Sequence, residues 1–295
     1  MYSSFKYVPT LEYLSWPYFK SSSQFIHSHR GLTCFLCVLK LVMKPTCPAV
    51  NDNLMQLLII LDAIKRSSPS RVTAVIPYYG YARQDRKHGP REPISAKLVA
   101  DLISVAGPDR VLMLDLHAMQ IQGFFNMPAD DLRVDPLILD YWNERGLSSK
   151  NATIVSVNHG GARRARRIAL LTDAKLALIE TRQQGDNKVL NVVGHLEENC
   201  IIIDDILDTG RRVVASADVL KLHGAKNVYV WATHPVLSGD VKTIQNSQID
   251  EIATTDSIPV PEAKLFAKLR ILPVAPLIAE AIRRIHNEES LAGRI

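Results

Sequence analysis

The 295 residues, 47% hydrophobic and 22% charged, fall in the range of ordinary soluble globular proteins and are enough for two packed cores. A net charge of +5 and a pI near 9.0, with basic residues scattered rather than striped, fit small anionic substrates better than nucleic acid, so no nucleic-acid partner is expected. Cys34, Cys37, Cys47 and Cys200 make no disulfide framework, which points to a reducing cytoplasm.

The leader Met1 to Arg30, rich in Ser, Tyr and Phe, lacks the ordered basic, apolar and small-residue regions of a secretory signal. The apolar run from Leu32 to Met43 spans about 12 residues and contains Lys40, short of the ~20 that cross a bilayer, so no membrane span is expected. Cys34 and Cys37 form a C-x-x-C pair with no second pair or suitably spaced histidine, which reads as coincidence. From Pro45 onward, β-branched apolar runs alternate with amphipathic stretches, the pattern of an α/β protein with mainly parallel sheets flanked by helices. Expected strands are Arg71 to Pro77, Val111 to Asp115, Ala152 to Val157, Lys175 to Glu180, Cys200 to Asp204, Asn227 to Thr233 and Glu251 to Thr255. Pro93 to Ala106 is expected as a helix with Ile94, Leu98, Val99, Leu102 and Ile103 on its inner face and Gly107-Pro108 as its stop. Arg212 to His223 is expected to turn Val213, Ala217 and Leu220 inward, with Gly224 in the left-handed cap position, and a further helix covers Pro276 to His286. A boundary near residue 140 divides the chain into two halves of similar design.

Chemistry is concentrated at strand ends. In Ile203-Asp204-Asp205-Ile206-Leu207-Asp208-Thr209-Gly210 an apolar strand runs into two adjacent acids, then Asp-Thr-Gly, then a helix. Backbone N–H groups at such a helix start, with the Thr209 hydroxyl, suit a phosphate, and the paired carboxylates suit ribose hydroxyls or a hard cation. Arg83 and Arg86 lie in Tyr78-Tyr79-Gly80-Tyr81-Ala82-Arg83-Gln84-Asp85-Arg86, where guanidinium groups could grip phosphates and tyrosine rings could meet a base. His117 follows Asp115 at another strand end, where an imidazole can ligate a metal or hold a phosphate.

The acid-rich turn resembles the phosphoribosyl diphosphate loop of the type I phosphoribosyltransferase fold. Together with the Tyr78 to Arg86 segment, Asp115 to Phe125, Asn51 to Met55 and Glu280 to Ser290, it closely resembles the ribose-phosphate diphosphokinases over roughly Pro45 to Ser290. The resemblance implies two phosphoribosyltransferase-like domains, 45–140 on the ATP side and 141–295 on the ribose 5-phosphate side, preceded by a segment 1–44 that lies outside the family. It implies a transfer of diphosphate from ATP to the sugar 1-hydroxyl, with AMP leaving. It also implies that Arg83, Gln84 and Arg86 contact ATP, that His117 holds Mg2+, and that Asp204, Asp205, Asp208, Thr209 and Gly210 receive ribose 5-phosphate. Homo- or hetero-oligomers with family paralogues are implied as well.

Four departures stand out. Residues 1 to about 44 lack the family's first strands and its adenine-contacting loop. Asn158, before Gly160-Gly161, stands where the family carries a magnesium-binding aspartate. Thr181 occupies the place of the family's catalytic lysine, in a loop about two residues shorter, so that the adjacent Arg182 is the remaining candidate cation. Arg211 and Arg212 replace a small residue and a hydroxyl residue after Gly210, in reach of the 5-phosphate. The alternatives are a weak or inactive regulatory subunit of a hetero-oligomeric synthetase and, third, a plain phosphoribosyltransferase.

Overall fold

The computed structural model describes residues 39–47, 49–87, 89–184 and 187–291. The Cys34 and Cys37 pair lies outside them.

Two sheets organise the chain. The first has four parallel strands in the order β1 (Leu39–Met43), β2 (Arg71–Ile76), β3 (Arg110–Leu114) and β4 (Ala129–Leu132). The second has seven, in the order β11 (Leu269–Leu272), β10 (Glu251–Thr255), β9 (Asn227–Pro235), β8 (Asn199–Leu207), β5 (Ala152–Ser156), β6 (Lys175–Gln184) and β7 (Asn187–Val193). All its pairings are parallel except the last, β6 with β7. Each of the seven expected strands is present, and the α/β class with mainly parallel sheets stands. The strands absent from the sequence reading are short or polar. β4 reads Ala-Asp-Asp-Leu, and its Asp130 is held by the Arg110 guanidinium of β3 at 2.6 Å rather than by apolar packing.

The helices are α1 (Val50–Arg66), α2 (Ser95–Ala106), α3 (Asp135–Glu144), α4 (Ala162–Thr172), α5 (Arg211–Leu222), α6 (Val241–Gln245) and α7 (Ala275–His286). Short 3-10 turns cover Met119–Phe124 and Glu262–Lys264. In α1, Leu54, Leu57 and Leu61 recur on one face and are buried, while Asp52 in the first turn and Lys65 and Arg66 in the last complement the helix dipole. α5 buries Val213, Ala217 and Leu220, with Gly224 at φ 97°, as its sequence pattern indicates.

α2 corrects the expected face. Ala96, Val99, Ala100 and Ile103 point inward, whereas Leu98 and Leu102 are 58% and 42% exposed. Both sets recur at helical spacing, and the two alanines win because small side chains let the helix approach its neighbours closely.

Alternation along the strands sorts the core into layers. Val72, Ala74 and Ile76 of β2 face α1 and α2, while Val75 faces the other way. There it joins Leu112, Leu114 and Leu132 of the first sheet, Ile154, Ile201, Ile203 and Trp231 of the second, and Leu277, Ile278 and Ala281 of α7 in one cluster. The opposite face of the second sheet, with Val155, Ile202, Val228 and Val230, packs on Val213, Ala217 and Leu220 of α5. Residue 140 falls inside α3, whose Ile138, Tyr141 and Trp142 belong to the cluster shared by both sheets. No helix among the described residues is long and apolar enough to cross a membrane.

Candidate functional site at the facing strand ends

The C-terminal ends of β3 and β8 meet where parallel sheets place ligands. Beyond β3, Asp115 adopts φ 43°, a left-handed conformation uncommon for a residue other than glycine. Its backbone N–H bonds to Leu132 O at 2.8 Å, and the next N–H, of Leu116, bonds to Asp131 Oδ1 at 2.9 Å. This sharp turn brings the His117 ring out of the sheet, where its Nδ1 donates to Asp205 Oδ2 at 2.6 Å.

Asp205 is buried, and burial opposes its charge. The His117 hydrogen bond and the positive field of Arg164 override burial and hold its carboxyl well below the usual carboxylate range. Asp204 behaves oppositely. Burial first, and the neighbouring Asp205 charge second, push it up to about 7. The hydrogen bond that His117 donates to Asp205 Oδ2 raises the His117 pKa above its ordinary value, against the effect of burial.

After β8, Asp208, Thr209 and Gly210 lead into α5. Gly210 sits at φ 75°, and a Cβ there would lie 2.4 Å from Ile244 Cγ1, so the turn accepts only glycine. Asp208 accepts from the Ser238 hydroxyl through Oδ1 and from Arg83 Nη1 at 2.8 Å through Oδ2. The segment carrying Arg83 therefore reaches across to the acid-rich loop.

The residues singled out from the sequence separate into two groups. Arg83, His117, Asp204, Asp205 and Asp208 converge. Gln84 braces the turn through its backbone, its N–H on Tyr81 O at 2.9 Å and its carbonyl on Ala96 N at 3.1 Å. Arg86 and Thr209 are exposed beside the site. Arg211 and Arg212 open α5 with exposed side chains. Asn158 turns its side-chain oxygen onto its own loop, accepting from Gly161 N at 2.7 Å, while Ser156 Oγ donates to the Asn158 carbonyl at 2.8 Å. Thr181 is exposed on β6, opposite Leu190 of β7, and Arg182 is opposite Val189. The strand expected to stop at Glu180 thus runs on to Gln184 as one arm of an antiparallel hairpin.

Several residues of the site were not singled out. Arg164 of α4, its side chain 12% exposed, donates through Nη1 to Asp115 Oδ1 at 2.8 Å and through Nη2 to Leu116 O at 3.2 Å. Thr233 Oγ1 of β9 donates to the other Asp115 oxygen at 2.5 Å. His234, buried, directs Nε2 at the carbonyls of Leu114 and Asp115, 3.2 and 3.3 Å away, and accepts from Ser257 Oγ at Nδ1, 2.9 Å; burial lowers its pKa, in keeping with a neutral ring. The place of Asp115 two positions before His117 was a usable signal. Arg164 had none, because it stands in a run with Arg163, Arg166 and Arg167 that reads as a solvated helix face.

No group of three or more His, Cys, Asp or Glu among the described residues is arranged to hold a metal ion alone. Magnesium needs no such cage, since it ordinarily keeps several waters and takes one or two carboxylates plus substrate phosphates. Asp204, Asp205 and His117 fit that partial donor set.

Comparison with known proteins gives a consistent outcome. Residues 38–107 match the N-terminal domain of ribose phosphate pyrophosphokinase, and residues 179–294 match the phosphoribosyl synthetase-associated domain. A ribose-phosphate pyrophosphokinase of Clostridium perfringens is 47% identical over 257 residues, covering 85% of this chain and 81% of that protein. Its counterpart in Oceanobacillus iheyensis is 48% identical over 255 residues, covering 85% and 80%. The crystal structure of phosphoribosylpyrophosphate synthetase from Mycobacterium smegmatis superposes with a TM-score of 0.78 at 39% identity, covering 85% of this chain and 82% of that one.

Proposed function

The chain belongs to the ribose-phosphate pyrophosphokinase family, and from that premise we propose that it transfers the diphosphate of ATP to the 1-hydroxyl of ribose 5-phosphate where β3 and β8 meet. The observation that carries the reading is the double contact across this junction, Arg83 with Asp208 and His117 with Asp205. It joins the segment assigned to ATP to the loop assigned to the sugar.

Arg83, with Gln84 and Arg86 beside it, takes the ATP phosphates. The Arg83–Asp208 pair is half exposed, so its exchange for a phosphate costs little, in the range of about 0–1 kcal/mol for surface pairs. Asp204 and Asp205 take the ribose hydroxyls, and the turn Asp208-Thr209-Gly210 presents the start of α5 to the 5-phosphate, with Arg211 and Arg212 adding positive charge. His117, together with the acid pair, holds Mg2+, and Asn158 is the lesser candidate because its oxygen is already engaged. Bound there, magnesium would neutralise charge on the transferring phosphates. Arg182 takes the cationic role that the family gives to the lysine at the Thr181 position. Little covalent work is left to the protein, and catalysis rests on alignment and charge.

The chain works as a homo- or hetero-oligomer, a reading supported by exposed Met55 and Ile59 on α1 and Leu98 and Val105 on the adjacent α2. A reducing cytoplasm suits the free thiols of Cys47 and Cys200.

The test is formation of AMP and phosphoribosyl diphosphate by the purified chain with magnesium, ATP and ribose 5-phosphate. Turnover abolished in His117→Ala supports the reading. Absence of turnover by the chain alone, with altered turnover by an intact paralogue, would assign a regulatory role instead.

A further inference from the structure

Asp115 is held from outside its own sheet. Both of its carboxylate oxygens are taken by residues of the second sheet and its helices, Oδ1 by Arg164 of α4 and Oδ2 by Thr233 of β9. The two carbonyls that begin the turn, Leu114 and Asp115, face His234 Nε2, and the third, Leu116, accepts from Arg164 Nη2. Among the described residues, Arg164 is the one that grips both a side chain and a carbonyl of this turn. A left-handed Asp115 is strained and persists only where its surroundings hold it.

We infer that Arg164 is a positioning residue of the reaction: acting through Asp115 and Leu116, it fixes the turn that carries His117 and so sets His117 against Asp205. The inference rests on the diphosphokinase reading for its meaning in turnover, and on the geometry alone for the placement of His117. From Asp115 to His117 the chain has only Leu116 between, and the Leu116 N–H is tied to Asp131 while its carbonyl is tied to Arg164. The imidazole thus projects from a turn clamped on both sides. Released from Arg164, Asp115 loses the partner of one buried oxygen, and the turn can relax out of the left-handed region. His117 then moves with it. An arginine suits the task because a planar fork can bond a carboxylate and a carbonyl together, which an ammonium at the end of a flexible stem does not reproduce.

A purely structural ion pair would act on stability alone. Positioning acts on turnover at constant stability, since a displacement of about 1 Å at a reacting centre costs up to ~100-fold in rate.

The experiment uses Arg164→Lys and Arg164→Gln in the full chain, with melting temperature, kcat and both KM values, and a crystal structure of each variant. Expected for Arg164→Lys is a melting temperature near that of the parent, kcat reduced about 10- to 100-fold with KM for ribose 5-phosphate little changed, and His117 displaced from Asp205 in the crystal. Retention of parental kcat, or an unmoved His117–Asp205 contact in the variant crystal, overturns the inference. Where Arg164→Gln does not fold, Thr233→Val removes the second grip on Asp115 and is judged by the same two readouts. Absence of turnover in the parent chain would defeat the diphosphokinase reading, while the variant crystals would still decide what Arg164 does to His117.

Discussion

The His117 imidazole carries a charge that depends on its acid partner, and the sign of that dependence can be followed through pH. Its pKa in the folded chain lies above the ordinary value of 6.5, so the contact with Asp205 stabilises the fold fully below about pH 6.5 and loses its effect as the pH rises through the raised value. The expected outcome is a melting-temperature gap between the parent and His117→Gln that is widest in mild acid and closes in alkali; a gap independent of pH would contradict the pairing. A cation approaching the imidazole meets the reverse trend, because metal ligation requires the neutral ring. Asp204, held near 7, likewise gives up a proton to accept a cation or a stronger donor. At this scale the sequence displayed the acids well, since Asp204 and Asp205 end an apolar strand and a capping role leaves them unexplained. It hid Arg164 and Thr233, whose partners lie 49 and 118 positions away in the chain and whose neighbours in sequence look unremarkable.

Among the elements, the β6–β7 hairpin carries Thr181 and Arg182, the pair to which the cationic role is proposed to fall. It sets Thr181 opposite Leu190, so the position at which the family's lysine is expected is part of a hydrogen-bonded arm. Restoring the ammonium there adds one preorganised cation, and such donors are worth roughly 10²–10³ in rate. Thr181→Lys is therefore expected to raise kcat by one to two orders of magnitude without changing the melting temperature, measured as AMP release at saturating substrates; an unchanged rate would leave Arg182 as the group that fills the role. Five of the seven strands of the second sheet, β5, β6, β8, β9 and β10, were legible from their apolar runs. The orientation of α2 was not, because two apolar stripes share that helix and size favoured Leu98 and Leu102 while packing chose Ala96 and Ala100. β4 and β7 escaped notice because two acids and two asparagines occupy strands whose partners, rather than whose composition, define them.

For the molecule as a whole, the two sheets share one apolar cluster, and Trp231 is buried within it with its ring centroid 5.9 Å from that of Tyr141 on α3. Truncation to alanine at such a site removes about 3–5 kcal/mol. Trp231→Ala is expected to lower urea stability by that amount while keeping a single transition seen alike by fluorescence of the remaining tryptophans and by circular dichroism; two separated transitions would show that the sheets unfold independently.

That common cluster also bears on how ligands come and go. Two lobes that swing apart on a hinge need a thin, polar seam, and here the seam is built of Val75, Leu112, Ile201 and Trp231. Opening it would expose as much oily surface as partial denaturation does. Entry of nucleotide and sugar is then expected at the rim, where Arg83 meets Asp208, rather than by rotation of half the protein.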